Sequence, residues 1–270
     1  MSDSSLGPPY SPPINALLRQ LLEGTQSILG EQLLGLYLSG SLALGDFDPT
    51  SSDIDFVAVL SRPLDAVTVA ALTQFHATLR TSISGGVEGG SEGSPQTPRL
   101  EGFYVPHAIV RQPALPSAQQ DVCFAGWTSF GMLRLRWDWV IECYVVREHG
   151  VVLAGPPPAV LFAPISREEL TASVRATLVD DWSQQVENHE WMLPRYEQAF
   201  VILTMCRAWY VLTGGPYVSK PEAARWAQQH LPPEWAPLIE RALTWRADAT
   251  RDEAGLRETL RFVRFTLTHS

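Results

Sequence analysis

Cysteine is scarce in this chain: Cys123, Cys143 and Cys206 are odd in number, far apart and set among apolar neighbours. That pattern argues against a disulfide framework or a zinc cluster and for reduced core thiols in a cytoplasmic protein. Positive charge is also short, with 20 Lys and Arg against 29 Asp and Glu and a net charge of −9. Because phosphate-backbone affinity comes mainly from Lys and Arg, this balance argues against a general nucleic-acid binder. An acidic surface suits a small cationic partner instead. No secretory signal or membrane-spanning apolar run is visible, and the opening MSDSSLGPPYSPP is polar and proline-rich. Two nucleotide signatures are absent as well: the Gly-Lys-Ser/Thr ending of a P-loop and the glycine fingerprint of dinucleotide-binding folds.

What is present is concentrated in SGSLALGDFDPTSSDIDFVAVL, residues 39–60. The apolar run LLGLYLSG stops abruptly at small residues, as a buried strand does on entering a turn. Gly40 can hold a backbone conformation closed to other residues and lets a phosphate approach the main chain. Ser41 adds a hydroxyl donor, and SLALG reads as the start of a short helix whose free N–H groups favour an anion. DIDFVAVL follows as a second strand. Strand side chains alternate faces, so Asp53 and Asp55 point the same way while Ile54 points into the core. Two neighbouring carboxylates suit Mg²⁺, which prefers oxygen ligands and completes its shell with water and substrate phosphates. Either half of the motif alone is ordinary turn chemistry; the two together favour the functional reading. Asp46 and Asp48 form a competing pair, but GDFDPTSS is turn-like and close to Ser41, so they are assigned to a solvated loop.

The 270 residues, 45% of them hydrophobic, allow one large or two modest domains with sizeable cores. INALLRQLLEGTQSILG and LDAVTVAALTQFHATLR read as helices around the two strands. SISGGVEGGSEGSPQTP, residues 82–98, is too rich in Gly, Ser and Pro to pack and reads as an excursion. RLEGFYVPHAIV is a further strand candidate, MLRLRWDWVIECYVVREHG is ambiguous but long enough for a helix, and VVLAG is a short strand or extended connection. The GPPP run marks the expected boundary, with a nucleotide-handling domain over 1–157 and a helical domain over 158–270. SREELTASVRATLVDDW opens that second domain with a capping box, and four more helical patterns follow. The fold class expected is α+β, a mixed sheet with flanking helices followed by an all-α bundle.

Glu101 is the third carboxylate of interest. A strand paired beside DIDFVAVL would set it next to Asp53 and Asp55, where it could share a metal and accept the proton of an attacking hydroxyl. On residue type alone a strand Glu is more often exposed than catalytic, so its weight comes from that company.

These features resemble the aminoglycoside (3″)(9) adenylyltransferases of the polymerase-β-like nucleotidyltransferase superfamily. The similarity lies in LYLSGSLALGDFDPTSSDIDFVAVL, FAGW, VREHGVVLAGPPPAVLFAPIS and VILTMCRAWYVLTGGPYVSKPEAARWAQQHLP. The resemblance implies that Gly40 and Ser41 hold the triphosphate of ATP, that Asp53, Asp55 and Glu101 bind Mg²⁺, and that Glu101 is the general base. It further implies that Arg207 and Lys220 reach ATP phosphates, and that Trp127 and Glu197 meet the acceptor. Glu197 stands where the family has an aspartate, and Leu193 where its streptomycin-binding members carry an acidic residue. Read from the residues alone, Arg207 on an apolar helix needs a partner, either a phosphate or a bundle carboxylate. Lys220 alone reads as a solvated residue beside a helix start, and Trp127 equally as core packing.

The implied reaction is Mg²⁺-dependent transfer of AMP from ATP to a hydroxyl of a small cationic, aminoglycoside-like molecule such as streptomycin or spectinomycin, with release of pyrophosphate. The expected setting is a cytoplasmic monomer with no nucleic-acid or membrane partner. A different acceptor, or a noncatalytic nucleotide-binding protein, are the alternatives; the complete Asp53, Asp55 and Glu101 set argues against the latter.

Overall fold

A computed structural model describes residues 10–83, 99–113, 121–126 and 129–269. The chain divides into two compact units between Ile165 and Ser166. Among the described residues no helix is long and apolar enough to cross a membrane.

The first unit is built on a six-stranded sheet in the order β5-β4-β3-β2-β1-β6. Its strands are β1 (Leu33–Leu38), β2 (Ile54–Leu60), β3 (Leu100–Pro106), β4 (Asp121–Ala125), β5 (Phe130–Arg134) and β6 (Val151–Ala154). All neighbours pair antiparallel except β2 and β3, which run parallel and in register from Ile54↔Leu100 to Leu60↔Pro106. That parallel pair needs a crossover, supplied in part by α3 (Ala66–Ile83). The expected excursion at 82–98 falls mostly on residues outside those described.

Strand alternation sorts the core into two layers. On one face Leu36, Leu38, Ile54, Phe56, Leu100 and Tyr104 pack with Leu17, Leu18 and Leu21 of α1 (Pro12–Leu29) and Leu72 and Leu79 of α3. On the other, Tyr37, Val57, Val59, Phe103 and Val105 pack under Trp139, Cys143 and Val146 of α5 (Asp138–His149). All three cysteines are buried and unpaired, as the sequence suggested.

Several elements differ from the sequence reading. RLEGFYVPHAIV is a strand only as far as Pro106; His107–Arg111 then forms the short helix α4. MLRLRWDWVIECYVVREHG is split: its start finishes β5, and the helix begins at Asp138. Apolar pattern alone could not separate these, because Met132 and Leu133 on the edge strand are 62% and 41% exposed, whereas Trp139 and Cys143 are core. The short helix α6 (Pro158–Leu161) carries Leu161, which with Phe162 packs in the α5 layer of the first unit.

The second unit is helical: α7 (Arg167–Thr177), α8 (Ser183–Glu187), α9 (Arg195–Leu212), α10 (Lys220–His230), α11 (Ala236–Thr244) and α12 (Glu253–His269). The expected capping box is present, with Ser166 Oγ accepting from Glu169 N–H and the Glu169 carboxylate accepting from Ser166 N–H. A π-helical turn, Leu178–Trp182, joins α7 to α8. Arg195 opens α9 and bonds both Asp248 and Asp252, each at 3.1 Å, which ties the segment before α12 to the start of α9.

One buried polar pair gives the first unit a measurable acid sensitivity. His76 of α3 is 3% exposed, shares a 2.8 Å hydrogen bond with the Tyr104 hydroxyl and stacks on Phe56 and Phe130. Burial, with a smaller contribution from Arg80, lowers its pKa to about 4. The folded state therefore resists a proton that the unfolded chain accepts below about pH 6.5. Stability should be flat above that pH and fall towards pH 4 by on the order of 3 kcal/mol. Urea unfolding from pH 7 to 4 should show this slope in the wild type and a shallower one in His76→Gln. An unchanged slope in the variant would assign the loss to another group.

Candidate active site

The site is assembled at the end of β1 and the beginnings of β2 and β3. β1 ends at Leu38, and Ser39 N–H donates to the Asp55 carbonyl at 2.9 Å, fastening the turn to the neighbouring strand. Gly40 follows with φ +55°, in the left-handed region that side chains rarely adopt. A Cβ there would also run into the Asp55 carboxylate. The glycine is thus required twice, by its backbone angle and by the carboxylate against it. Gly40–Ala43 forms α2, one short helical turn, as SLALG suggested.

The hydroxyls on either side of Gly40, Ser39 Oγ and Ser41 Oγ, are buried and make no hydrogen bond. Unpartnered buried hydroxyls are costly, about 1–3 kcal/mol each, and are expected where a ligand supplies the partner. The loop beyond carries several local bonds. Asp48 accepts from Thr50 N–H and Oγ1 and from Ser51 Oγ, while Asp46 N–H returns to the Ser41 carbonyl. The solvated-loop assignment of Asp48 agrees with those local bonds.

The parallel register sets Asp55 directly beside Glu101. Both lie on the sheet face that carries Val57, Val59, Phe103 and Val105, while Ile54, Phe56 and Leu100 face the opposite layer. Both carboxylates are half-buried, as is Asp53. Asp53 precedes β2 and stands 4.0 Å from the Arg99 guanidinium, in a pair exposed enough to be weak. Among the described residues no three His, Cys, Asp or Glu side chains form a ready-made metal-holding group, but the register brings together Asp55 and Glu101, two of the three acidic residues expected to share a metal. The donors still fit a hard divalent cation, since Mg²⁺ is usually held by one or two carboxylates plus substrate phosphates. An in-register Asp55 and Glu101 supply such oxygens.

The other expected residues belong to the helical unit. Glu197 lies in the first turn of α9 and Arg207 ten residues later, about 15 Å along the axis. Phe200 and Thr204 fall between them at helical spacing, on the same side. The Arg207 guanidinium lies 4.5 Å from the centroid of the Tyr217 ring, and among the described residues it forms no ion pair. A bundle carboxylate is therefore not its partner. Lys220 is the first residue of α10, and its ammonium lies 3.7 Å from the centroid of the Phe200 ring. Thr204 Oγ1 is buried without a partner, whereas Thr213, Thr259 and Thr266 bond back to the preceding helical turn. Trp127 lies outside the described residues. Sequence reasoning missed Ser39, Arg99, Phe200 and Tyr217. For the two aromatics the only available signal was their helical or loop spacing from Arg207 and Lys220.

Known proteins match this architecture. A family model described as the aminoglycoside adenylyltransferase C-terminal domain matches residues 160–269, and a nucleotidyltransferase domain model matches 18–84. The aminoglycoside (3'') (9) adenylyltransferase of Klebsiella pneumoniae is 28% identical over 238 residues, covering 84% of this chain and 82% of that protein. The spectinomycin 9-adenylyltransferase of Campylobacter jejuni is 24% identical over 232 residues, covering 83% and 82%. Among solved structures, spectinomycin adenyltransferase AAD(9) from Enterococcus faecialis, with ATP and spectinomycin, superposes with a TM-score of 0.72 at 15% identity, covering 94% of this chain and 99% of that one.

Two glycines with similar backbone angles separate strain from collision in the turn. Gly45 has φ +71° but open space where a Cβ would go. Gly45→Ala should cost about 1–2 kcal/mol in denaturant unfolding and leave nucleotide binding intact. Gly40→Ala should cost more and abolish ATP binding measured by calorimetry. Equal behaviour of the two variants would show that contact with Asp55 is unimportant.

Proposed function

Since the chain belongs to the aminoglycoside adenylyltransferase family of nucleotidyltransferases, we propose that it transfers AMP from ATP to a hydroxyl of a small cationic, aminoglycoside-like acceptor. The observation that carries this reading is the in-register pair Asp55 and Glu101 beside the Gly40 turn with its two unpartnered hydroxyls. Carboxylate oxygens next to a phosphate-accommodating turn are what nucleotidyl transfer needs. The similarity of the curated relatives, named for aminoglycosides and for spectinomycin, supports the acceptor class.

In this reading Gly40 lets the triphosphate approach the main chain, and the Ser39 and Ser41 hydroxyls gain the partners they lack. Glu101 accepts the proton of the acceptor hydroxyl. The acceptor oxygen then attacks the α-phosphorus in line, the bond to the β-phosphate oxygen breaks, and pyrophosphate leaves. Asp53 and Asp55, with Glu101, would hold Mg²⁺, which supplies neutralisation of phosphate charge during transfer. Arg207 and Lys220 would be the cations that meet the triphosphate. Glu197 would pair with a cationic group of the acceptor, and Trp127 would stack on a sugar or guanidinium face. A cytoplasmic monomer, in the compartment that supplies ATP, completes the proposal.

Incubation with α-labelled ATP and Mg²⁺, comparing spectinomycin, streptomycin and no acceptor, should yield a labelled adenylate with at least one drug. Transfer to neither would sink the acceptor class, and nucleotide binding without transfer to any hydroxyl compound would sink catalysis altogether. Glu101→Gln should lose transfer by about 10²- to 10⁴-fold while still binding ATP. Full activity in that variant would overturn the general-base role.

A further inference from the structure

The connection between α9 and α10, residues 213–219, is exposed or half-exposed except at one position, and that position is Tyr217. Local chemistry directs it there. α9 closes in a Schellman turn: Gly214 N–H donates to the Val211 carbonyl at 3.0 Å and Gly215 N–H to the Tyr210 carbonyl at 2.8 Å, with Gly214 at φ +100°. Pro216 follows, and its fixed φ and missing N–H stop any continuation of the helix. Ser219 then caps α10 by accepting from Glu222 N–H. Arg207 stands five residues before the last residue of α9, about 7.5 Å of helix rise. Two residues of extended chain cover about 7 Å. The short return through Pro216 thus brings the Tyr217 ring back alongside Arg207, and the guanidinium carbon lies 4.5 Å from the ring centroid.

We propose that Tyr217 is a positioning residue for Arg207: its buried ring holds the guanidinium in place by a cation–π contact and leaves the charge for an anionic oxygen. An arginine side chain has about 2 kcal/mol of rotamer entropy to lose when its head is fixed. A contact made before the ligand arrives removes part of that cost from binding. Arg195, at the start of the same helix, shows the other way to fix a guanidinium, since Asp248 and Asp252 hold it and neutralise it together. Arg207 forms no ion pair among the described residues. A ring attracts through its quadrupole and adds no counter-charge. The one buried side chain of an otherwise open connection is explained by this task. The inference rests on the reading of Arg207 as a cation for the ATP phosphates.

Fluorination tests the charge distribution of the ring while nearly preserving its shape. Tyr217→Phe is the reference, and mono-, di- and trifluorinated phenylalanine at the same position progressively withdraw the negative charge of the ring face. Calorimetry with Mg²⁺ and ATP should show affinity falling stepwise along the series, by about 3- to 10-fold in all, the range one cation–π contact supplies. Arg207→Met should weaken ATP by about 10- to 100-fold, the range of a charge-assisted hydrogen bond. In that background the fluorinated series should be flat. A flat series with Arg207 in place overturns the positioning and leaves the phosphate role of Arg207 standing. An equal slope in the Arg207→Met background also overturns it, since the ring would then act on the nucleotide itself. Unchanged ATP affinity in Arg207→Met overturns the phosphate role of Arg207 and the proposal with it, an outcome read from that variant alone and so distinct from the other two.

Discussion

A glycine pressed against a carboxylate is the constraint on which the candidate active site depends. Gly40 adopts a left-handed angle at the end of β1, and the space a side chain would need is filled by Asp55. The Ser39 N–H bond to the Asp55 carbonyl holds the two strands together at that point. Once Asp55 is fixed, the parallel ladder fixes Glu101, because a one-residue slip of β3 would send Glu101 to the opposite face. The buried Leu100 guards that register from behind, since the same slip would take it out of the layer formed with α1 and α3.

The two units handle charge by different means. In the sheet unit, alternation lets a strand carry carboxylates on one face at its entrance while its middle is buried on both. In the helical unit, spacing along α9 places Phe200 and Arg207 on one side, and the cations are held against aromatic rings. The seat of Arg207 on Tyr217 orients a charge without neutralising it. Elsewhere in the same unit, Arg195 is paired with Asp248 and Asp252 and serves to tie segments together. The contrast between Arg195 and Arg207 separates a structural arginine from one whose charge remains available.

Much of this could be read in the residues. The turn at Gly40, the short helix after it, the strand 54–60 and the strand beginning near Glu101 follow from local chemistry, as does the capping box at Ser166. That Asp55 and Glu101 stand side by side did not follow from local chemistry, because strand register is a tertiary matter. β4 was not recognised: five residues, DVCFA, are too few to show a period. The junction between β5 and α5 was ambiguous because both segments are rich in apolar residues and differ mainly in what covers them. The boundary expected at GPPP assigned the residues just after it to the helical domain, yet Leu161 and Phe162 fill the α5 layer. The aromatic seats under Arg207 and Lys220 were illegible for a related reason, since Tyr217 and Phe200 are unremarkable residues until the chain folds a ring beneath each cation.

By itself, the sequence determined which residues could do phosphate chemistry and which could not. Only a residue without a Cβ could make the turn at position 40, and alternation decided which strand positions share a face. These are properties of one or a few consecutive residues, so local stereochemistry suffices. Tertiary structure alone decided that Glu101, 46 residues after Asp55 in the numbering, stands beside it, that Ser39 and Ser41 keep buried hydroxyls without partners, and that Arg207 and Lys220 each lie against a ring. Such pairings depend on strand register and helix packing, which are set by burying the whole core at once and therefore cannot be read from any one segment.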